Sequence, residues 1–291
     1  MVTLKERLAR GESLAISGVT DALSARLVEQ AGFDAIWLGS LLGTASFMGN
    51  VDVGLMGASD RLDQLRKIRA VSSLPVIVDG EEGWGDAPQA AYWVREFARA
   101  GATGIMFDDK SGDFMTPYIK GSVGDVLPVD VAARKYRAAV DARPSDDFLV
   151  VARTGSRRLY GLDEQIRRLG AYKAAGVDVL WATSSDEATL RRHRAELEGP
   201  LWAVCNEHSG AQGRLSLAEF AALGIQAVSY ELPIALVGLR AMIDAARELR
   251  ETGSIVGLLD RSASFEEFLA LAGFGEMEAL ARQYGVIPGG K

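Results

Sequence analysis

Val76-Ile77-Val78-Asp79-Gly80-Glu81-Glu82-Gly83-Trp84-Gly85 is an apolar β-type run that ends abruptly in three acids and turns on glycines into a helix. A second run, Gly104-Ile105-Met106-Phe107, leads straight into Asp108-Asp109-Lys110. Two buried strands that both finish in carboxylates place acid side chains at one end of a parallel sheet. Like charges gathered in a pocket cannot all stay ionised unaided, so such a cluster calls for a cation. Oxygen-only ligands favour Mg²⁺ or Mn²⁺ over zinc. The alternative is a set of solvated acids in ordinary strand-to-helix loops.

Outward from this stretch, apolar runs alternate with segments of helical period. Strands are expected at Leu14 to Val19, Ala35 to Leu38, Pro75 to Val78, Gly104 to Phe107, Phe148 to Ala152, Val179 to Ala182, Leu201 to Val204 and Ala227 to Tyr230. Helices are expected near 21–31, 60–71, 87–100, 129–142, 163–175, 186–197, 216–223 and 235–250. The strands are short and apolar throughout, as when both faces are covered. Eight strands alternating with eight helices predict an α/β fold of the closed (β/α)₈ TIM-barrel type over residues 1–250. Ala31-Gly32, Ala100-Gly101 and Ala175-Gly176 punctuate helix ends, where Gly accepts the left-handed conformation. Two connections, Gly39 to Ser59 and Lys110 to Pro128, are long enough to build a site or a lid. Residues 251–291 read as a C-terminal helical extension, with amphipathic helices at Ser264 to Ala272 and Glu276 to Tyr284, packing on the barrel or on a neighbouring subunit.

Composition narrows the function. The 291 residues carry a net charge of −7, which argues against a nucleic-acid groove, since that would need a clustered basic face. No apolar run approaches the roughly 18 residues of a membrane span, and the first residues lack a signal-peptide core. A cytoplasmic location is expected. The one cysteine, Cys205, lies in an apolar strand and reads as a packed thiol. With two histidines, a His-based zinc site or a Ser-His-Asp triad has little material. His193 follows Arg191-Arg192 and reads as solvated; His208 sits just beyond a strand end, where a site could form.

Taken in order, several segments resemble the phosphoenolpyruvate mutase/isocitrate lyase superfamily over most of the chain. They are Gly18-Val19-Thr20-Asp21-Ala22-Leu23-Ser24-Ala25, Glu29-Gln30-Ala31-Gly32-Phe33, Ile36-Trp37, Thr44-Ala45-Ser46, the acid segment at 79–85, and Phe107-Asp108-Asp109-Lys110. Asp147 to Arg153, Gly161-Leu162-Asp163-Glu164 and Ala171 to Asp178 complete the set. The likeness leans toward the phosphonomutase and phosphonopyruvate hydrolase branch. It implies a Mg²⁺ (or Mn²⁺) ion held largely through water by Asp52, Asp79, Glu81 and Asp108. The ion would chelate the carboxylate and 2-oxo oxygen of a small anionic substrate and stabilise its enolate. The resemblance also places Trp37, Gly39, Ser40, Leu41 and Asn206 at the substrate, and Arg153 at its transferring or enolate oxygens. Lys120 and Thr116 stand on the expected lid as candidate catalytic groups. The C-terminal helices are expected to exchange between barrels of a homo-oligomer, a dimer or tetramer.

The departures fall in the half of the site that selects the reaction. The family pattern Asp-x-Asp-Thr-Gly-Tyr/Phe-Gly becomes Asp79-Gly80-Glu81-Glu82-Gly83-Trp84-Gly85, with the Asp/Glu identities at 81 and 108 exchanged. The mutase lid motif and the Lys-Lys-Cys-Gly-His lyase motif are both absent. Gly155 replaces the acid two residues after the arginine, and Ala182 stands near the position of the phosphoryl-contacting histidine. Mutase-like C–P chemistry is therefore one reading. A C–C lyase or hydrolase acting on an oxaloacetate- or malate-like dicarboxylate is the second. A barrel retained as a non-catalytic binding or assembly subunit is the third.

Overall fold

Eight parallel strands close into a barrel in a computed structural model that describes residues 2–111, 124–182, 186–205 and 214–287. The barrel strands are β1 (Leu14–Gly18), β2 (Ala35–Leu38), β3 (Val76–Asp79), β4 (Gly104–Asp108), β7 (Leu149–Arg153), β8 (Val179–Trp181), β9 (Leu201–Val204) and β10 (Ala227–Tyr230). Each pairs with its sequence neighbours in the barrel, and β10 closes on β1 with Leu14 opposite Ala227. The remaining two, β5 (Lys110–Ser111) and β6 (Asp125–Val126), form a short antiparallel ladder at the base of the long loop after β4. The expected barrel and its strand positions are borne out.

The period-2 alternation of side chains decides what each strand presents inward. Ile36, Leu38, Val76, Val78, Ile105, Phe107, Val150 and Ala152 face the helices and join the outer core. Ala35, Trp37, Ile77, Met106, Leu149, Val151, Val179, Trp181, Trp202 and Ala227 fill the inside of the barrel, with Leu4 and Leu8 of α1 (Leu4–Ala9). Three tryptophans fill its centre. Trp37 lies 5.2 Å from Trp181 and 5.4 Å from Trp202 between ring centroids, and Trp181 stacks on Trp202 at 4.8 Å. Trp202 needs a partner for its indole N–H in that apolar setting and donates to Ser229 Oγ at 2.9 Å.

Eight helices match the expected segments: α2 (Ala22–Gln30), α4 (Ala58–Arg69), α5 (Ala87–Arg99), α6 (Val129–Asp141), α8 (Leu162–Ala174), α9 (Glu187–Glu196), α10 (Leu217–Ala222) and α11 (Pro233–Thr252). Two further helices occupy what the sequence presents as loop: α3 (Ser40–Met48) and α7 (Ser156–Tyr160). The segment after β2 is thus a correction, helical from Ser40 onward. Its cause lies in another element: Arg61 of α4 donates to the Gly39 carbonyl at 3.0 Å, and Gln64 to the Gly43 carbonyl at 3.1 Å.

Cys205 is buried, as expected. His193 is not solvated. It is fully buried on the inward stripe of α9 with Leu190 and Leu197, and its Nε2 lies 3.0 Å from Gln165 Oε1 of α8. Helical spacing overrides the charge of its neighbours, since residues three and four apart share a face. Burial first, and then Arg157 and Arg192, push His193 down to about 4. The folded state therefore binds its proton less readily than the unfolded chain, so this stabilisation is complete above pH 6.5 and fades as pH falls toward 4. By pH 5 the loss should be about 2 kcal/mol, at ~1.4 kcal/mol per pH unit. Urea unfolding of the wild type and His193→Gln at pH 7.5 and 5.0 checks it: the variant should lose less stability between the two.

The chain divides into two compact units, Met1–Ile234 and Ala235–Lys291. The second contains most of α11, a 3₁₀ turn at Val256–Arg261, α12 (Phe265–Leu271) and α13 (Phe274–Gln283). Ser264 caps α12 with a reciprocal Ser264–Glu267 capping box, and Phe265 and Phe268 stack at 6.3 Å.

Candidate active site

At the C-terminal ends of the strands, the next inward position after each core residue carries the chemistry. Ile77 is followed by Asp79, Met106 by Asp108, and Val151 by Arg153. This is the end of a TIM barrel at which active sites are built. Asp79, Glu81 and Asp108 are all buried, at 4%, 8% and 8% exposure.

A strained turn holds the acids in place. Asp79 Oδ1 accepts from the Glu81 N–H at 3.0 Å, and Oδ2 from the Ser40 N–H at 3.2 Å. Glu81 and Trp84 both adopt φ of 51°, the left-handed region that residues with a Cβ seldom occupy. The surrounding bonds impose that conformation. The Glu81 carbonyl accepts from the Asp108 N–H at 2.7 Å, and Lys135 of α6 donates to the Glu82 carbonyl. Trp84 stacks on Phe97 at 5.5 Å. Gly80 is required by close approach: a Cβ there would stand 2.5 Å from the Phe107 ring and 2.7 Å from the Met106 carbonyl.

Burial, and after it the charge of Asp79, push Glu81 up to about 7. Lys110 answers that strain, with Nζ 2.6 Å from Glu81 Oε2 and 3.7 Å from Glu82. Burial works against its charge, yet Glu81 holds Lys110 protonated above its usual range. Asp52 accepts from Ser40 Oγ at 2.7 Å, while burial and Asp79 raise its pKa. Arg153 Nε lies 3.2 Å from Asp108 Oδ2, and its guanidinium sits over Trp181 at 5.8 Å. The other oxygen of Asp108, Oδ1, is buried and has no hydrogen-bond partner among the described residues.

Asp109 points the other way, as alternation requires. Its carboxylate accepts from Thr154 Oγ1 at 2.7 Å, Tyr172 OH at 2.5 Å, Arg168 Nη1 at 3.1 Å and the Gly155 N–H at 3.3 Å. It ties the end of β4 to the turn after β7, behind the Asp108–Arg153 pair.

Among the described residues, no three acid, histidine or cysteine side chains converge closely enough to ligate an ion directly. The donors nevertheless suit a hard divalent cation held through water. All are oxygens, three belong to buried carboxylates that repel one another, and Asp108 Oδ1 is unpaired. Asp52, Asp79, Glu81 and Asp108 would hold such an ion, with Lys110 competing for Glu81. Gly39, Ser40 and Leu41 form the start of α3, and Trp37 is the buried floor beneath them. Thr116, Lys120, Asn206 and His208 lie outside the described residues.

Sequence reasoning missed Glu231. It follows β10, where Ala227 and Ser229 face inward, and so takes the next inward position. Ending that strand at Tyr230 hid it, although the alternation was there to be extended.

A family model described as phosphoenolpyruvate phosphomutase matches residues 4–250. The 2,3-dimethylmalate lyase of Eubacterium barkeri is 29% identical over 97% of this chain and 96% of its own. The petal death protein of Dianthus caryophyllus is 30% identical over 97% of this chain and 89% of its own. A solved structure of 2,3-dimethylmalate lyase superposes with a TM-score of 0.88 at 29% identity, covering 98% and 96% of the two chains. Phosphonopyruvate hydrolase with oxalate and Mg²⁺ superposes with a TM-score of 0.85 at 27% identity, covering 97% of each. Relatives of this kind are lyases, mutases and hydrolases of 2-oxo acids or dicarboxylates. Together with the closed barrel and its inward acids, these likenesses show that the chain belongs to the phosphoenolpyruvate phosphomutase family, within the phosphoenolpyruvate mutase/isocitrate lyase superfamily.

Proposed function

We propose that the chain is a divalent-metal-dependent enzyme that stabilises the enolate of a 2-oxo acid while a bond at its third carbon is made or broken. The bond is C–C: C3–C4 of an oxaloacetate-like dicarboxylate, or C2–C3 of a malate-like one, where the enolate belongs to the departing carboxylic acid and the 2-oxo acid is the other product. The observation that carries this choice is the charge around Arg153. Its guanidinium is paired with Asp108 and feels the charge of Glu231, with Asp79 also acting on Glu231, so the mouth around it is rich in negative charge. A phosphonyl dianion asks for more positive charge than a carboxylate does. Dimethylmalate lyase among the relatives supports the same reading.

A metal, when bound, supplies the Lewis acid that stabilises negative charge on the 2-oxo oxygen. The chain's own residues do the rest. The start of α3 sets the Ser40 N–H against Asp79, and a helix N-terminus beside the acids suits a substrate carboxylate. Arg153, held in orientation by Asp108 and the face of Trp181, offers N–H donors to a developing oxyanion. The strained 79–85 turn fixes Asp79 and Glu81 before substrate arrives, so no reorganisation is needed during reaction.

The phosphonate reading keeps one specific support, the likeness to phosphonopyruvate hydrolase. A substrate panel separates the two. With Mg²⁺ present, release of a 2-oxo acid is expected from oxaloacetate- and malate-type dicarboxylates, and a chelator should abolish it. Turnover of phosphonopyruvate at ten times the best dicarboxylate rate, or more, would reverse the assignment. The C-terminal unit leaves Phe265, Phe274, Met277 and Tyr284 exposed, which supports the expectation of a homo-oligomer.

A further inference from the structure

Glu231 is, among the described residues, an acid at the end of a barrel strand that the metal-and-enolate reading does not use. Its place follows from register. Ser17 of β1 pairs with Tyr230, so Glu231 stands level with Gly18 at the rim. A Cβ on Gly18 would come within 2.3 Å of the Glu231 carbonyl oxygen, so the glycine lets the chain cross the barrel mouth there. Ala227 faces the inner core, Val228 the outer core and Ser229 the Trp202 indole, while Tyr230 packs outward against Phe33. Continued one residue past the end of β10, the same alternation puts residue 231 on the inward side of the mouth.

The charges that Glu231 feels agree with that placement. They are Arg153 on β7 and Asp79 on β3, each three strands away from β10, in opposite directions around the barrel. A side chain lying along its own strand would not be dominated by both. Among the described residues its carboxyl makes no hydrogen bond and no ion pair. Burial pushes it up to about 7, opposed by Arg153.

Resting on the enolate reading above, we infer that Glu231 is the acid/base that exchanges a proton with the third carbon of the substrate. When the C3–C4 bond of an oxaloacetate-type substrate breaks, the C4 carboxylate leaves as CO₂ and the electron pair passes to the third carbon as the pyruvate enolate. The carboxylic acid of Glu231 then gives its proton to that carbon, the enolate collapses to the 2-oxo acid, and Glu231 is left as carboxylate until solvent reprotonates it. In the reverse direction Glu231 removes a proton from the methyl group of pyruvate, so no co-reactant is needed. The lyase lid motif is missing from this chain, and Glu231 fills the acid/base role from the barrel itself.

The probe is pyruvate with Mg²⁺ in D₂O, with loss of the methyl proton signal followed by NMR. Oxalate with Mg²⁺ in a thermal melt reports separately whether the enolate site is intact. The wild type should exchange the methyl protons. Glu231→Gln should keep the oxalate shift and lose exchange by 10²-fold or more, the usual range for removing a general acid or base. Exchange in Glu231→Gln within threefold of the wild type overturns the assignment. So does a wild type that binds oxalate with metal yet leaves pyruvate unexchanged. A wild type showing neither response sinks the enolate reading, and this one with it. Glu231→Ala covers the case in which glutamine upsets the fold. In an alanine chain that still binds oxalate, recovery of exchange by added formate supports the role, and undiminished exchange without formate overturns it.

Discussion

Asp79→Ala should abolish the stabilisation that Mg²⁺ and oxalate together give the wild type. Oxalate mimics a pyruvate enolate, and a ligand that binds only the native state raises stability by mass action. At roughly a hundredfold excess over Kd the gain is about 2.7 kcal/mol, a shift of several degrees in Tm for a chain of this size. Asp79 is the acid on which the site converges. Its oxygens accept from Glu81 and Ser40, and its charge acts on Glu81, Asp52 and Glu231. Alanine removes both the charge and the two acceptors, so part of the loss could come from a loosened turn. Asp79→Asn helps to separate these effects, because the amide oxygen keeps one of the two acceptors while the negative charge is gone. The asparagine chain should unfold near the wild-type temperature without ligand and show no oxalate shift. If both variants keep the full shift, the acids do not form a metal site, and the reading of a non-catalytic binding barrel takes precedence.

How much of this site is legible in the sequence depends on whether the deciding contact is local. The strands are legible because an uninterrupted run such as Val76-Ile77-Val78 has few other ways to bury itself, and the acids that end it mark the mouth of the barrel. Asp79, Glu81 and Asp108 were named from that pattern, and all three are buried at the mouth. The pairing of Lys110 with Glu81 crosses 29 residues of sequence and belongs to the closed barrel. Helix α3 reads as loop in the sequence because Ser40, Gly43 and Thr44 lower its helix preference despite Leu41 and Leu42. What holds it is the buried Arg61, whose reach to the Gly39 carbonyl depends on Gly43 having no side chain: a Cβ there would meet Arg61 Nη1 at 2.0 Å. His193 shows the opposite error. Two flanking arginines suggested solvent, but the three- and four-residue spacing to Leu190 and Leu197 was the better guide. Asp108 and Asp109 look like one acidic pair in sequence, yet alternation sends the first into the mouth and the second into the scaffold.

That second acid should carry the largest single effect on stability. Asp109→Ala is expected to cost about 3–5 kcal/mol, the range for removing one partner of a buried, hydrogen-bonded ion pair. Asp109 is 1% exposed, and burial, with the neighbouring charge of Asp108, pushes its carboxyl up to about 6. Ionisation in that setting is itself unfavourable, so the pair with Arg168 adds little net stability. The cost of truncation comes from what is left behind. Thr154, Tyr172 and the Gly155 N–H lose their acceptor together. Arg168 keeps Glu164 and the Leu127 carbonyl at 2.7 Å each but loses its buried counter-charge. Urea unfolding of Asp109→Ala, Arg168→Met and the double variant measures the coupling. The double variant should be clearly more stable than the sum of the singles predicts, because it no longer buries an orphaned charge. Strict additivity would mean that the two side chains do not act as a unit. The same network stands behind Arg153, since Asp109 holds the turn after β7. Asp109→Asn, which keeps the acceptor for Thr154 and Tyr172, should therefore preserve turnover better than Asp109→Ala at a temperature where both are folded. Equal turnover in the two would place Asp109 in the scaffold alone, with no part in orienting the arginine.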